Sequence, residues 1–301
     1  PEGKGAEFSD ENVPYKPQVW LKVSNDDLDE GDMTFIMGFP GFTTRYRTSN
    51  SAKWNLEYNY PFSIRTYNEI IDIMDELTEN DPEGKIKVAG LRSGLANVEK
   101  NYRGKVEGME KTHYVKKKMK FEKEFTTWVE GNAERSEKYG QILPDIKKLY
   151  VKLDQTRLRD DQIGNLQGLS GTQLALAGQA YLIALEMDKP KKERKPGYSE
   201  KAIEKAMAGL QYQYMGYYEP ADKAMLARTL NEVNELPEGQ RIEALQYIFD
   251  DYPSVEAFVE KAYAASEMDD PEYTKKMLTM TPKQLEELNN PFIEMMVKMY
   301  P

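Results

Sequence analysis

The sequence predicts a mainly α protein in which a short N-terminal β segment precedes a large all-helical domain. Met33, Phe35 and Met37 occupy every second position, as the apolar face of a half-buried strand does. A Gly-Phe-Pro-Gly turn follows directly, and a strand that ends in such a turn suits a small antiparallel barrel. Beyond this turn, the apolar residues recur at helical spacing. We therefore predict a β segment over residues 1–60 and an all-α domain over residues 61–301.

Within the β segment, strands are predicted near Val19–Val23 and Met33–Met37, and a third over Arg45–Tyr58. Few of the partners that a barrel needs follow in the sequence. The apolar faces of these strands are therefore expected to be more exposed than those of the helices.

The helices are predicted from their N-caps and their apolar spacing. Asp81-Pro82, Asp270-Pro271 and Asn290-Pro291 each place a side-chain acceptor before a proline at the first helical position. Thr281 and Gln284 have the spacing of a capping box. Apolar stripes at helical spacing are formed by Tyr67, Ile70, Ile71, Met74 and Leu77, and by Phe121, Phe125, Trp128 and Val129. Further helices are predicted around residues 141–159, 165–187, 199–214, 220–236, 240–250, 254–266, 272–278 and from 282 onwards.

Composition excludes several classes of function. Lys and Arg number 41 against 51 Asp and Glu, so the net charge is −10, and nucleic acid is not an expected partner. No apolar run approaches the length of a membrane span. The first residues lack the charged and then apolar layout of a signal peptide, and a chain that opens on proline is expected to be part of a longer polypeptide.

The sequence offers little catalytic chemistry of its own. His113 is the only histidine, and it lies beside a run of lysines that disfavours an imidazolium. We expect it at the surface near a helix joint. The Gly168–Gly171 segment contains Ser170 but lacks the preceding strand of a nucleophile elbow, so it is predicted to connect two helices. Cysteine is absent, and no metal or other cofactor is predicted.

The stretch from Val88 to Asn101 is unusual for a helix. Ala89, Ser93 and Asn97 recur at spacing i, i+4, i+8, and Gly90 and Gly94 lie beside them. Each glycine costs about 1 kcal/mol relative to alanine in a helix interior, so close approach of a backbone or a ligand is expected to compensate. Two interpretations follow. The face either binds a ligand or forms a small-residue seam against another helix.

Several motifs point to one family. A Gly-Asp strand beginning at Gly31 runs into Gly-Phe-Pro-Gly-Phe-Thr-Thr-Arg-Tyr, which ends at Tyr46. The match continues in Asn12–Pro17, Ile71–Met74, Asp81-Pro82, Ile86–Asn101 and Glu134–Gly140, and more weakly in Glu193–Tyr198 and Tyr218–Leu230. Together these motifs resemble the bacterial dipeptidyl-peptidases of serine peptidase family S46, the dipeptidyl-peptidase 7 and 11 type. Phe42 departs from the family pattern, which usually has a polar residue there.

The resemblance implies that the β segment is left from a truncated, chymotrypsin-like double β-barrel that a large helical domain interrupts. The catalytic histidine and aspartate of the family lie before the matched region, and its serine lies after it. No catalytic residue is therefore expected here, and the chain alone is expected to be inactive. The missing catalytic barrel of the same polypeptide is the implied partner. The resemblance also implies export to the periplasm or cell surface of a Gram-negative bacterium, and it leaves a homodimer open.

The resemblance also implies a site for the substrate. The family has the helix Tyr-Ala-Ser-x-x-Ala-Gly-x-Ser-Asn-x-Trp-Lys-Asn, whose first asparagine helps to bind the free α-amino group of the peptide. In this register that asparagine is Asn97, and Asn101 is the second. An ammonium is a donor only, and an amide oxygen can accept one of its hydrogen bonds. Glu99 stands where the family has tryptophan, which puts the packing beside the site in doubt.

The predicted function is therefore the substrate-capping, N-terminus-recognising helical domain of a serine dipeptidyl-aminopeptidase. Peptides with a free N-terminus are the expected ligands. The alternative is a non-catalytic helical module that binds a protein partner. A histidine and an aspartate upstream in the intact gene, with a Gly-x-Ser-Gly turn downstream, would favour the enzyme.

Overall fold

The computed structural model describes residues 9–13, 15–35, 37–38 and 44–300, and its chain divides into two units at Arg45. In the described part of the first unit the backbone forms turns and bends but no strand. The strands predicted at Val19–Val23 and Met33–Met37 are therefore wrong for the residues described. A strand needs a neighbour to pair its backbone groups, and no second strand is present among them. Their apolar side chains are exposed, as expected. The turn at residues 39–43 lies outside the described residues.

The third predicted strand, Arg45–Tyr58, is also wrong, because this segment is helical from Ser49. The Thr48 side chain accepts a hydrogen bond from the Ser51 N–H and starts the helix. A π-helical turn, Asn55–Asn59, follows, in which the Tyr60 N–H donates to the Asn55 carbonyl. The proline that follows has no N–H to donate, which explains why regular α-helical bonding is interrupted here.

The second unit is mainly helical, as predicted, with no strand among its described residues. The helices predicted over residues 141–159 and 165–187 are each interrupted, at residues 155–156 and 169–171, and the one predicted over 240–250 begins as 3₁₀ turns. Its α-helices are α1 (Ser49–Trp54), α2 (Tyr60–Leu77), α3 (Pro82–Lys111), α4 (Tyr114–Glu130), α5 (Ala133–Tyr139), α6 (Ile142–Asp154), α7 (Arg157–Gly168), α8 (Thr172–Asp188), α9 (Glu200–Met215), α10 (Glu219–Asn234), α11 (Gln246–Asp251), α12 (Val255–Ala265), α13 (Pro271–Met277), α14 (Pro282–Glu286) and α15 (Pro291–Met299). Short 3₁₀ turns occupy Lys191–Glu193, Glu238–Gln240 and Glu243–Leu245. The mainly α fold class is thereby confirmed.

The predicted N-caps are present. Asp81, Asp270 and Asn290 each accept a hydrogen bond from a backbone N–H at the start of the helix that follows. Thr281 and Gln284 form the reciprocal capping box predicted for α14. The assignment of residues 1–60 to a barrel stays a prediction.

A large apolar core holds α7 to α15 together, and we call this part the body. Its fully buried side chains include Leu226 and Leu230 of α10, Phe258 of α12 and Phe292 of α15. Asp222 of α10 adds a buried polar contact, because its carboxylate accepts hydrogen bonds from the first backbone N–H groups of α8. The hydrophobic effect over this core is the main source of stability for the domain.

Helices α2 and α3 form an antiparallel hairpin that attaches to α10 of the body. A small second core joins them, in which Met74 and Val88 pack with Ala221 and Met225. At the hairpin turn, Tyr218 packs against Gly84. At the middle of α2, the largely buried Arg228 side chain binds Glu69 at 2.6 Å and also binds Glu232 of α10 at 3.1 Å. These contacts fix the hairpin, and with it the predicted site on α3.

Candidate functional site

Asn97 lies in the middle of α3 and its side chain is exposed. Helix α3 packs on α2 through Val88 and Leu95, which are buried. In contrast, Ala89, Ser93 and Asn97 are exposed and line an open groove. Among the residues described, no helix covers this face, so the seam interpretation is not supported. Whether Asn97 binds a ligand stays a prediction.

The groove has a volume of about 1020 Å³ and runs between the end of α2 and the first half of α3. Its floor on α3 consists of small side chains, Ala89, Ser93 and Ala96. Asn97 and Lys100 line the part farther from the hairpin turn, since the turn precedes α3. The groove is therefore long enough for more of a peptide than its terminal amino group.

A side-on ion pair crosses the groove between the two helices. The Nε and Nη2 atoms of Arg92 donate to the Oδ1 and Oδ2 atoms of Asp75, both at 2.6 Å. The hydrogen bonds from Arg92 hold the pKa of the Asp75 carboxyl below its ordinary value. The pair keeps α2 and α3 in a defined register beside Asn97.

The charges of the groove are divided between its two walls. The α2 wall and the hairpin turn contribute three carboxylates, those of Asp75, Glu76 and Glu79. The α3 wall contributes three cations, those of Lys85, Arg92 and Lys100. The lining is therefore neutral as a whole, with charged side chains on both walls and small, partly apolar side chains between them.

The two glycines of this helix have no close neighbour. A Cβ atom built on Gly90 or Gly94 meets no described atom within 4 Å. No described backbone approaches these positions to explain their cost in helix stability. The alternative, that a ligand approaches these two glycines, stays a prediction.

The remaining family positions of α3 differ in their surroundings. Asn101 is exposed, but it lies outside the residues that line the groove. Glu99 is buried and pairs with Arg103 one turn along the helix. The family resemblance leads one to expect tryptophan at this position. This chain has an ion pair there in place of an aromatic ring.

The two residues that could suggest catalysis lie apart from the groove. His113 is exposed at the joint between α3 and α4, where its φ angle is 50°. Ser170 is buried in the connection between α7 and α8 and donates to the Asn165 carbonyl oxygen. A helix joint and a helix connection are the roles predicted for these segments. In the described part of the chain, no group of His, Asp and Glu side chains could hold a metal ion.

Sequence reasoning missed the Asp75–Arg92 pair. The two residues are 17 positions apart and belong to different helices. Only the register of the hairpin brings them together, and no local spacing rule predicts that register. The acidic end of α2, where the helix dipole disfavours carboxylates, was the available signal.

None of the helices in the described chain combines the length and apolar character that a bilayer crossing requires.

The chain is similar to known peptidases over most of its length. It is 26% identical over 302 residues to an Asp/Glu-specific dipeptidyl-peptidase from Shewanella putrefaciens, which covers 99% of this chain and 40% of that protein. A dipeptidyl-peptidase 7 from Porphyromonas endodontalis is 35% identical over 147 residues, 48% of this chain and 18% of the relative.

The fold has a counterpart of known structure. The crystal structure of Porphyromonas endodontalis DPP11 in complex with the dipeptide Arg-Glu matches with a TM-score of 0.65 at 22% identity, over 98% of this chain and 41% of that one. The chain thus spans about two fifths of the length of this structure and of the Shewanella relative. The family model for peptidase S46 matches residues 1–301. The chain therefore belongs to the peptidase S46 family.

Proposed function

We propose that this chain is the part of a serine dipeptidyl-peptidase that caps the substrate cleft and recognises the free N-terminus of a peptide. The observation that carries the proposal is the position of Asn97, which is exposed on α3 at an open groove with charged walls. The relatives that span longer chains are named dipeptidyl-peptidases. A protein that removes dipeptides must measure two residues from an N-terminus, and this requires a group that holds the ammonium.

The chemistry of Asn97 suits that role. An ammonium has donors and no acceptor, and the Oδ1 atom of an amide accepts a hydrogen bond without bringing a second charge. Asn101 lies one turn further along the helix, beyond the residues that line the groove. Binding of this kind positions the scissile bond for reaction elsewhere, which contributes to catalysis by orientation.

The proposal places the chemical step on residues that are not among the 301 of this sequence. His113 is the only histidine of the chain, and it lies at an exposed helix joint. We therefore expect the chain by itself to show no hydrolysis of dipeptidyl chromogenic substrates. Export to the periplasm or cell surface, contact with a catalytic barrel of the same polypeptide, and a homodimer belong to the same proposal.

The proposal is tested by peptide binding to the 301-residue chain. Tetra-alanine with a free N-terminus is titrated against its N-acetylated form, and amide NMR shifts report the dissociation constant. Asn97→Ala removes an acceptor for a charged donor, worth about 1.5–3 kcal/mol, so we expect affinity to fall roughly ten- to hundredfold. Asn97→Asp retains an acceptor and should retain binding.

Glu107→Ala serves as the matched control, because Glu107 is exposed on the same helix outside the groove. We expect this variant to bind as the unmodified chain does. If the acetylated peptide binds as tightly as the free one, or if Asn97→Ala leaves the affinity unchanged, recognition of the N-terminus at Asn97 is refuted.

A second candidate function is a helical module that binds a protein partner. Exposed aromatic side chains on α4 favour it, since Phe121 is 65% and Trp128 49% exposed. Trp128 also lies 6.0 Å from Tyr139 and carries the Arg135 guanidinium over its ring at 4.3 Å. This module would show no dependence on a free N-terminus, so the same titration separates the two functions.

A further inference from the structure

The region around helix α4 has a charge opposite to that of the whole chain. The net charge of the 301 residues is −10. Between Lys111 and Lys123, however, the sequence contains six lysines and a single carboxylate, that of Glu122. This carboxylate is already engaged, because it accepts hydrogen bonds from the backbone N–H and the hydroxyl of Ser49 in α1. Positive charge is therefore concentrated in this segment without being neutralised by it.

Most of these lysines lie on the exposed face of α4. Lys116, Lys120 and Lys123 have the spacing i, i+4, i+7, which places them on one side of the helix, and Lys117 lies beside them. All four side chains are exposed, and we call them the lysine patch. Lys120 lies 4.0 Å from Glu124. In the part of the chain that the structure describes, no ion pair holds the other three.

Exposed apolar side chains border the lysine patch. At about 100° per residue, Phe121 and Trp128 lie on one side of it and Met119 lies on the other. All three are exposed, although the opposite face of the same helix is anchored by the buried Val129. A single helix face thus presents flexible positive charges and apolar side chains together.

This combination fits an anionic lipid surface better than a folded protein. Lysine carries a compact charge on a flexible stem and forms no bidentate pair, so it suits phosphates that rearrange around it. Protein interfaces are enriched in arginine and depleted in lysine, and the sequence has no arginine between Arg103 and Arg135. Phenylalanine and tryptophan suit a protein or the headgroup level of a bilayer. The lysines therefore favour the lipid surface.

We propose that the exposed face of α4 binds the surface of a bilayer that contains anionic lipids. The lysine patch attracts the headgroups, and Phe121 inserts between them. The contact is with the surface alone, in the manner of a basic amphipathic helix that lies on a membrane. This site is on a different helix from Asn97, so the proposal does not depend on recognition of a peptide N-terminus.

The test is sedimentation of the 301-residue chain with vesicles. One set is pure phosphatidylcholine, and the other contains equal parts of phosphatidylcholine and phosphatidylglycerol. We expect binding to the anionic vesicles only, and we expect high salt to weaken it. The triple variant Lys116→Gln, Lys120→Gln, Lys123→Gln should bind about a hundredfold more weakly, because each lysine near such a surface contributes about fivefold. Glutamine and lysine have similar helix propensities, so the helix should persist.

A second variant tests the apolar part of the contact. Phe121→Ser removes the inserted ring and should weaken binding to the anionic vesicles about five- to tenfold. Tyr212→Ser is its matched control, because Tyr212 is an exposed aromatic residue on α9. This control should bind as the unmodified chain does.

A matched control for charge is also present in the chain. Lys192, Lys201 and Lys205 are exposed and lie outside α4. Changing all three to glutamine alters the net charge as the patch variant does, and it should leave vesicle binding within about twofold of the unmodified chain.

Several outcomes would overturn the proposal. They are the absence of vesicle binding, equal binding to both kinds of vesicle, and a patch variant that binds as well as the charge control. Unchanged binding of Phe121→Ser would also overturn it, because attraction by charge alone would suit an acidic protein equally well. None of these results depends on peptide binding, so the proposed function is tested separately.

Discussion

The body of the domain and the α2–α3 hairpin are built in opposite ways. Helices α7 to α15 bury a large apolar core, with Leu226, Leu230, Phe258 and Phe292 fully enclosed. The hairpin buries only a small cluster against α10 and leaves the groove face of α3 open. Stability therefore comes mainly from the body. The hairpin can carry glycines, small residues and charges that would be costly in a core, because the body holds it in place.

The largest effect is expected from a cavity in the body. Phe258→Ala empties a fully buried position and should lower the free energy of unfolding by about 3–5 kcal/mol. Phe121→Ala is the matched control, because the same ring is 65% exposed on α4, and it should change stability by no more than about 0.5 kcal/mol. Urea denaturation followed by circular dichroism measures both. Equal losses would show that the body core does not dominate stability.

A smaller effect is expected where the hairpin meets the body. Arg228→Met removes the more buried of the two arginines that bind both Glu69 and Glu232 and should cost about 1–3 kcal/mol. Arg65→Met changes the same network at a more exposed side chain, which binds Glu232 at 2.7 Å, and should cost about 0–1 kcal/mol.

Hydrogen exchange of α2 and α3 distinguishes a local effect from a global one. We expect Arg228→Met to increase exchange in the hairpin more than in α12. A uniform increase over both regions would mean that hairpin and body unfold as one unit.

The open face of α3 gives a stabilising prediction. A Cβ atom at Gly94 meets nothing within 4 Å, so Gly94→Ala should raise the free energy of unfolding by about 0.5–1 kcal/mol. At Gly84 a Cβ atom would lie 2.6 Å from Asp81 Oδ2 and 2.9 Å from the Tyr218 ring, so Gly84→Ala should destabilise the chain. Thermal melting measures both variants. A destabilised Gly94→Ala variant would show that something does contact this face.

The smallest effect concerns the Asp75–Arg92 pair and pH. Arg92 lowers the pKa of the Asp75 carboxyl in the folded chain. The pair therefore stabilises the fold fully at any pH above the pKa that Asp75 has in the unfolded chain. This stabilisation is lost as the pH falls through the lower pKa that Asp75 has in the folded chain. Arg92→Met should therefore cost roughly 0.2–1 kcal/mol at pH 7, a value typical of an exposed pair. The difference in the free energy of unfolding between the unmodified chain and the Arg92→Met variant should shrink towards zero below about pH 4. A difference that grows on acidification would contradict the pair as described.

Local signals in the sequence were sufficient for most of the helices. Asp81, Asp270 and Asn290 cap helices as predicted, because a cap depends on residues only two or three positions away. The apolar stripe containing Ile70 and Met74 is the buried face of α2 for the same reason. Such signals need no knowledge of the tertiary structure.

Features that depend on distant partners were not predictable in this way. The strands near Val19–Val23 and Met33–Met37 failed because alternation identifies a face but cannot provide a neighbouring strand. Asp75 and Arg92 were missed because the register of two helices brings them together. The position of Asn97 came from the family resemblance, and its binding role stays a prediction.

The π-helical turn at Asn55–Asn59 has a consequence for insertions and deletions. Such a turn holds one residue more than an α-helical turn would, so deleting one residue here can restore regular helix. The deletion would rotate everything before it by about 100° around the helix axis. Trp54, whose ring lies 6.4 Å from that of Tyr150 on α6, would then face another direction. The rotational orientation of α1 about the helix axis, and with it the packing of α1 on α6, thus depends on one extra residue in this turn.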